Sequence, residues 1–300
     1  MKIDKQNGNV AFENESHTYW NVNDNKRYIS VTTLIHRYVQ EFDKEFWSAY
    51  KALEKLIPKE SWAVEKKSLL NTKKFNREIL DTYNISELEF NKTQQDILDA
   101  WDAENRKSCD RGTKIHEEIE HSFYDHPKDI SLQKFGLGGK FECKKDYSEL
   151  DLDCGVYPEY LIYRESDDGI LRIAGQVDLI VKQGNEITII DHKTNKKIDQ
   201  KSGFDSTTKS TARMKYPLNN LMDCNFYHYT LQLSTYAWML QKINPQFVIK
   251  DLILNHYDHN GKNTIYHCEY LKDDVERMLS HYKKELILEE RRSKRKEIEY

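Results

Sequence analysis

The residues best suited to chemistry lie in one short stretch, Gly175 to Thr194, which reads GQVDLIVKQGNEITIIDHKT. Two runs of apolar and β-branched residues, Gln176 to Lys182 and Glu186 to Asp191, flank Gly184-Asn185, the pattern of a tight β-hairpin. A two-residue turn there pairs Gln183 with Glu186 and, in the same register, sets Asp178 directly across from Asp191. Opposed like charges on neighbouring strands are destabilising unless something positive sits between them, so the arrangement requires a cation. Lys193, two residues past Asp191, shares its strand face, with Gln176 opposite. Two acids and one amine presented together can hold a divalent metal and activate a water beside it. A four-residue loop around Gly184 would preserve the cluster while changing which residues pair.

Further candidates lie on both sides of this stretch. In Cys109 to Glu120, Ile115, Ile119 and Phe123 form one helical stripe, while His116 and Glu120 stand a turn apart on an adjacent face. A single helical His is more often a surface or satisfied core residue than a ligand. Glu159 lies in VYPEYLIYR, Val156 to Arg164, which has strand character and leads through an Asp167-Asp168-Gly169 turn into the hairpin, so three consecutive antiparallel strands are expected. Gln232 and Tyr236 are a turn apart in a helix over Asn225 to Ile243, where packing beside Leu233, Ala237 and Leu240 explains the tyrosine unaided. After the hairpin, Lys193, Lys196, Lys197, Lys201, Lys209, Arg213 and Lys215 outnumber Asp199 and Asp205; taken alone, this is the mark of a solvated polar loop.

The elements that must position these residues can be read in outline. His17 to Trp20 and Arg27 to Ile29 flank Asn23-Asp24-Asn25, which predicts an N-terminal hairpin. Ser30 to Thr33 then precedes a helix carrying Leu34, Ile35, Tyr38 and Val39, with a hydroxyl cap. Lys44 to Lys107 reads as several helices, broken near Pro58 and around Asn84 to Asn91. Phe135 to Cys154 is Gly-rich and then acidic, a loop with an irregular strand; Asn195 to Asp223 is a long polar loop of the kind that orders on binding. Strands are expected over Phe247 to His256 and Tyr266 to Tyr270, and a closing helix over Asp273 to Arg292 before a fraying charged tail.

Composition narrows the function classes. The chain of 300 residues has a charged fraction of 32%, a mean hydropathy of -0.84 and 19 Tyr, describing a polar, soluble protein long enough for a sizeable core. No apolar run approaches a membrane span and the N-terminus has no signal-peptide h-region, so a cytoplasmic location is expected. The five cysteines are odd in number and form no C-x-x-C pair, which argues against a disulfide framework and a structural zinc site. A formal net charge of -4 means that any nucleic-acid contact must come from local basic patches. Gly138-Gly139-Lys140-Phe141 lacks the leading Gly and the hydroxyl of a phosphate-binding P-loop, so no nucleotide cofactor is encoded.

The order of the motifs is more specific than any one of them: G-x-x-x-H (Gly112 to His116), a strand Glu (Glu159), G-x-x-D (Gly175 to Asp178), D-x-K-T (Asp191 to Thr194) and Q-x-x-x-Y (Gln232 to Tyr236). Together they resemble the RecB-like branch of the PD-(D/E)XK nuclease superfamily, and Ser30 to Thr33 is similar to a segment of phage-encoded exonucleases of that branch. The resemblance spans about Tyr28 to Leu240, although Phe46 to Trp101 carries none of its motifs. It implies an α/β fold with a restriction-endonuclease-like core, a central mixed β-sheet flanked by helices, an N-terminal hairpin and a helical insertion. A single domain over 1–300 is expected, made of hairpin 10–30, helical region 34–108, catalytic core 109–288 and charged tail 289–300.

The resemblance also implies roles. Asp178 and Asp191 offer hard oxygen ligands suited to one or two Mg²⁺ or Mn²⁺ ions, with the backbone carbonyl of His192 completing the site. His116 adds a softer ligand that favours Mn²⁺ tolerance, and Glu159 binds or orients a second metal or its water. Lys193 polarises the attacking water or steadies the pentavalent phosphate. Gln232 and Tyr236 position Lys193 and the nucleic-acid backbone, and Gln176, Thr194, Lys196 and Lys197 join them in holding DNA. Some relatives carry an iron-sulfur cluster with three cysteines after the Q-x-x-x-Y helix; only Cys268 follows Tyr236 here, so none is expected. The D-x-K form replaces the E-x-K of many nucleases, as is common in this branch. The expected activity is that of a metal-dependent deoxyribonuclease, exonuclease ahead of endonuclease, in phage or bacterial recombination, repair or DNA processing. Its location is then the cytoplasm, the host's if phage-encoded. DNA is the expected partner, with a single-strand annealing or binding protein beside it. A structure-specific endonuclease of the same fold and a non-catalytic DNA-end-binding module are the alternatives; oligomeric state is open.

Overall fold

The computed structural model describes residues 2–144, 152–205 and 210–298; the acidic stretch at 145–151 and Lys209 of the basic segment lie outside the described residues. In chain order the first elements are β1 (Lys5–Asn7), β2 (Val10–Glu13), β3 (Thr18–Asn21), β4 (Arg27–Ser30), α1 (Val31–His36), α2 (Lys44–Leu56), α3 (Lys59–Thr72), α4 (Glu78–Thr82) and α5 (Glu87–Asp125). There follow β5 (Ile130–Leu132), β6 (Leu137–Phe141), β7 (Gly155–Glu165), β8 (Arg172–Gln183), β9 (Glu186–Lys193), β10 (Phe204–Asp205), β11 (Ser210–Thr211), α6 (Asn225–Ile243), β12 (Val248–Tyr257), β13 (Asn263–His267) and α7 (Lys272–Ile298). The chain divides into two compact units, one of Met1–Val39, Lys114–Ser202 and Arg213–Tyr300, the other of Gln40–Thr113 and Gly203–Ala212.

The first unit is built on a mixed sheet in the order β1-β2-β3-β4-β8-β9-β12-β13, with β7 also paired to β8. The hairpin register expected from Gly184-Asn185 is present: Gln183 pairs with Glu186 and Leu179 with Ile190. Gly184 takes φ +59°, which fits a turn with glycine at its first central position. Strand β7 runs antiparallel along one edge of β8, from Gly155↔Lys182 to Glu165↔Arg172. The other edge is divided between two strands. Antiparallel β9 pairs with Leu179 to Gln183, and parallel β4 pairs with Ile173 and Ala174. Among the described residues, Gly175 to Asp178 therefore have no strand on that side, and this fork is where the candidate site lies.

Both faces of the sheet are covered, which explains why β8 and β9 read as nearly continuous apolar runs. Ile180, Ile187 and Ile189 pack with Leu233, Tyr236, Ala237 and Leu240 of α6 on one side. On the other, Leu179, Val181 and Ile190 pack with Phe135, Leu137 and Phe141. Full burial of such side chains contributes roughly 1.5–3 kcal/mol each, so the strands that carry the site are anchored by the bulk of the core. Helix α1 starts as predicted, with Ser30 Oγ accepting from the Thr33 amide at 3.0 Å.

The elements differ from the sequence expectation in four places. The N-terminal hairpin is a four-strand meander beginning at Lys5, because Lys5–Asn7 pairs with Val10–Phe12 and β4 continues into the central sheet. Helix α5 runs unbroken through Lys107 and Gly112 to Asp125; a single interior glycine costs about 1 kcal/mol, too little to stop a long helix. Strand β13 begins three residues earlier than expected, at Asn263, since the turn closed by Asp258 and Lys262 sets its start. Helix α7 extends through the charged tail to Ile298.

The second unit is helical. Phe46, Ala49 and Leu53 of α2, Leu69 of α3, Leu80 of α4 and Phe90 and Ile97 of α5 form its core. Its helices break at Pro58, as expected, and also at Lys73, a left-handed residue (φ +51°) closing α3. The short strands β10 and β11 pair with each other in this unit. Among the described residues no helix is long and apolar enough to cross a membrane.

Candidate active site

The two opposed aspartates sit where the hairpin ladder ends. Leu179↔Ile190 is the last pair between β8 and β9, so Asp178 and Asp191, next in register, are not bridged by their backbones. Instead Asp178 Oδ2 accepts the His192 amide at 2.6 Å, a side chain replacing a ladder bond. Beyond this point β9 stays paired only with β12, Asp191 against Leu254 and Lys193 against His256. Gln176 accordingly does not face Lys193. It pairs with Leu161 on β7, and its Nε2 donates to Glu159 Oε2 at 2.5 Å.

His116 reaches this fork from α5, whose less exposed positions recur at 111–112, 115–116, 119–120 and 123–124, the helical period that fixes one face inward. Its Nδ1 lies 3.4 Å from Glu159 Oε1 and 3.6 Å from Asp178 Oδ2. Its Nε2 is 3.0 Å from the His192 carbonyl oxygen. Glu159 sits opposite Asp178 between the pairs Pro158↔Leu179 and Tyr160↔Val177, and its φ is +48°. A non-glycine residue in the left-handed region costs about 1–3 kcal/mol, and such strain concentrates at functional sites. Glu120, the second residue of the helical pair, is not part of the cluster; it bonds Lys5 at 3.2 Å and Tyr124 at 3.1 Å.

Asp191 faces the lysine. Its Oδ1 accepts from Lys193 Nζ at 2.9 Å and from Gln232 Nε2 at 3.2 Å, and its Oδ2 is 2.7 Å from the same ammonium. Gln232 Nε2 also lies 3.4 Å from the Tyr236 hydroxyl. The tyrosine is both core and site: it packs beside Leu233, Ala237 and Leu240 while its ring passes over Gly175. A Cβ at Gly175 would meet Tyr236 Cε1 at 2.7 Å and its hydroxyl at 2.9 Å, so the G-x-x-D and Q-x-x-x-Y motifs fit together only with glycine here. Thr194 is half-buried, and Lys196 and Lys197 are exposed, the latter 2.9 Å from Asp199.

Charge is concentrated and buried at this point. Burial disfavours a charged His116, but the Asp178 and Glu159 carboxylates outweigh it and hold its pKa at about 9. Burial raises Asp178 and lifts Asp191 to about 6, with His116 and Lys193 respectively opposing. Burial also works against the Lys193 ammonium, yet Asp191 and Asp178 keep its pKa above the ordinary lysine value. His192 is pushed by burial down to about 3 and is neutral; its Nδ1 accepts from Asn255 Nδ2 at 2.9 Å.

Two observations test whether these residues suit a divalent metal. Among the described residues, His116, Glu159 and Asp178 offer donor atoms that lie within 4.8 Å of one another. Asp191 Oδ2, buried, has no hydrogen-bond partner of good geometry among the described residues, although the Lys193 ammonium is 2.7 Å away; a carboxylate oxygen left so is suited to a cation. The donor set of carboxylates, imidazole and carbonyl fits a divalent cation. Sequence reasoning missed two participants. Asn255 orients the ring of His192, and Tyr229 on α6 holds its ring centroid 4.7 Å from Lys193 Nζ. The spacing of Tyr229 three residues before Gln232 was the available signal for the second.

The profile of the PD-(D/E)XK nuclease superfamily matches residues 24–298. No curated protein matches the chain. Among solved structures, SSO0001 is similar over 86% of this chain and 75% of its own, at 14% identity and a TM-score of 0.36. A "putative exonuclease" from Eubacterium rectale is similar over 87% of this chain and 80% of its own, at 11% identity and a TM-score of 0.34.

Proposed function

Because the chain belongs to the PD-(D/E)XK nuclease superfamily, we propose that it is a divalent-metal-dependent DNA exonuclease acting in phage or bacterial recombination, repair or DNA processing. The observation that carries this reading is the convergence of His116, Glu159 and Asp178, with donor atoms within 4.8 Å of one another, on the edge where Asp191 holds Lys193 at 2.7 Å. Preference for exonuclease over endonuclease rests on the similarity of Ser30 to Thr33 to a segment of phage-encoded exonucleases. In this reading the protein works in the cytoplasm on DNA ends, alongside a single-strand annealing or binding protein.

Asp178, Asp191, His116 and the His192 carbonyl would hold Mg²⁺ or Mn²⁺, and Glu159 would serve the same ion or a second. When bound, the metal would supply positive charge that neutralises the phosphate and lowers the pKa of an attacking water. Lys193 acts as a hydrogen-bond donor to that water or to the phosphate rather than as a base, since its carboxylate neighbours keep it protonated. Gln232 fixes Asp191, Tyr236 fixes Gln232, and Gln176 fixes Glu159, so these two acids are each held in one orientation. Thr194, Lys196 and Lys197 provide contacts to the nucleic-acid backbone.

The test is incubation with linear and with closed circular duplex DNA in Mn²⁺ or Mg²⁺, followed by EDTA. The reading predicts loss of the linear form alone, halted by the chelator. Cleavage of the circle would establish an endonuclease, and loss of neither form would refute nuclease activity.

A further inference from the structure

Tyr229 lies on α6 three residues before Gln232 and seven before Tyr236, on the side of the helix that those two residues present to the site. The Lys193 ammonium sits 4.7 Å from the centroid of its ring, while Asp191 holds the same ammonium from elsewhere at 2.7 Å. The Tyr229 hydroxyl donates to Asn195 Oδ1 at 2.8 Å. Asn195 is itself fixed, because its carbonyl accepts from His256 Nε2 at 2.7 Å. The chain just beyond is tied to the start of the same helix: Asn225 Oδ1 accepts the Asp199 amide at 2.7 Å, and Asn225 Nδ2 donates to the Lys197 carbonyl at 3.0 Å.

We propose that Tyr229 is a positioning residue whose ring confines the Lys193 ammonium against Asp191, with the hydroxyl bond to Asn195 keeping that ring turned towards the lysine. A lysine stem has many rotamers, and one carboxylate leaves its ammonium free to swing; an aromatic face on another side removes that freedom without neutralising the charge. Simple space-filling does not account for the arrangement, since the ring is only half-buried and the hydroxyl is bonded to the segment that follows the lysine. The consequence for turnover rests on the nuclease reading above, whereas the contact itself does not.

The two are separated by reading the lysine directly. In metal-free protein carrying ¹³C-lysine, the Lys193 ε-methylene signal, assigned with Lys193→Arg, is displaced upfield by the ring. It is less displaced in Tyr229→Phe, whose ring has lost the bond to Asn195, and returns to the ordinary lysine position in Tyr229→Leu; an unmoved signal in Tyr229→Leu overturns the proposal. On linear duplex DNA with Mn²⁺, Tyr229→Leu lowers kcat about tenfold with KM little changed, the scale of a desolvated cation–π contact. Tyr229→Phe loses no more than about threefold. Equal losses in both variants, or a rise in KM alone, would mean that Tyr229 acts on DNA rather than on Lys193 and would also overturn it. If the wild-type protein cleaves nothing, the nuclease reading fails and the lysine signal still decides the contact.

Discussion

At the scale of single residues the site is a set of buried charges that stabilise one another, and this has a pH signature. The folded-state pKa of His116, about 9, lies above its ordinary value of 6.5. The stabilisation it gives to metal-free protein is therefore complete below pH 6.5 and is lost as pH rises towards 9. Asp191, raised to about 6, and His192, lowered to about 3, act below that window. Thermal melts of metal-free protein should show a falling Tm between pH 6.5 and 9, and His116→Gln should flatten that slope. A flat profile in the wild type would remove the coupling of His116 to the acids. A second residue-scale expectation concerns Gly175, over which the Tyr236 ring passes too closely for a side chain. Gly175→Ala should cost about 1–3 kcal/mol by urea denaturation, as overpacking typically does, and should lower cleavage by displacing Gln232 from Asp191. An unchanged denaturation midpoint would show that the ring moves aside freely. These aspartates, the lysine and the Gln–Tyr pair were legible in the sequence, because each belongs to a spaced motif. Tyr229 and Asn255 were not, because each acts through a neighbour that only the fold supplies.

At the scale of elements the decisive feature is the fork in which β8 leaves β9 for β4. The hairpin itself could be read from its turn and apolar runs, and its register is the expected one from Gln183↔Glu186 to Leu179↔Ile190. The fork could not, since it depends on Ile29 and Ser30 pairing with Ile173 and Ala174, residues far apart in the chain. That long-range pairing opens the edge at Gly175 to Asp178 and turns Gln176 from Lys193 to Glu159. The backbone of β7 adapts as well, with Glu159 held at φ +48° opposite Asp178. Glu159→Gly should relieve that strain and raise metal-free stability by about 1 kcal/mol, while weakening Mn²⁺ binding in calorimetry. A loss of stability would instead show that the Gln176 and His116 contacts of Glu159 outweigh its backbone strain.

For the whole molecule, the mixed sheet with helices on both faces is the fold that the ordered motifs imply, and the superfamily profile spans nearly the entire chain. The helical stretch before His116 was legible as helices but not as a compact unit of its own, since amphipathic spacing shows which face is buried and not what it packs against. The continuity of α5 through Gly112 to His116 was likewise hidden, because an interior glycine and a charged run look like a boundary when only local signals are weighed. The central claim is that residues brought from α5, β7, β8, β9 and α6 form one metal-dependent hydrolytic site. End-labelled linear duplex DNA, incubated in Mn²⁺ with the wild-type protein and with a folded Asp191→Ala variant, tests it most directly. The account predicts progressive release of nucleotides from one labelled end by the wild type and at least about a hundredfold less by the variant; release at equal rates by both, or by neither, would contradict it.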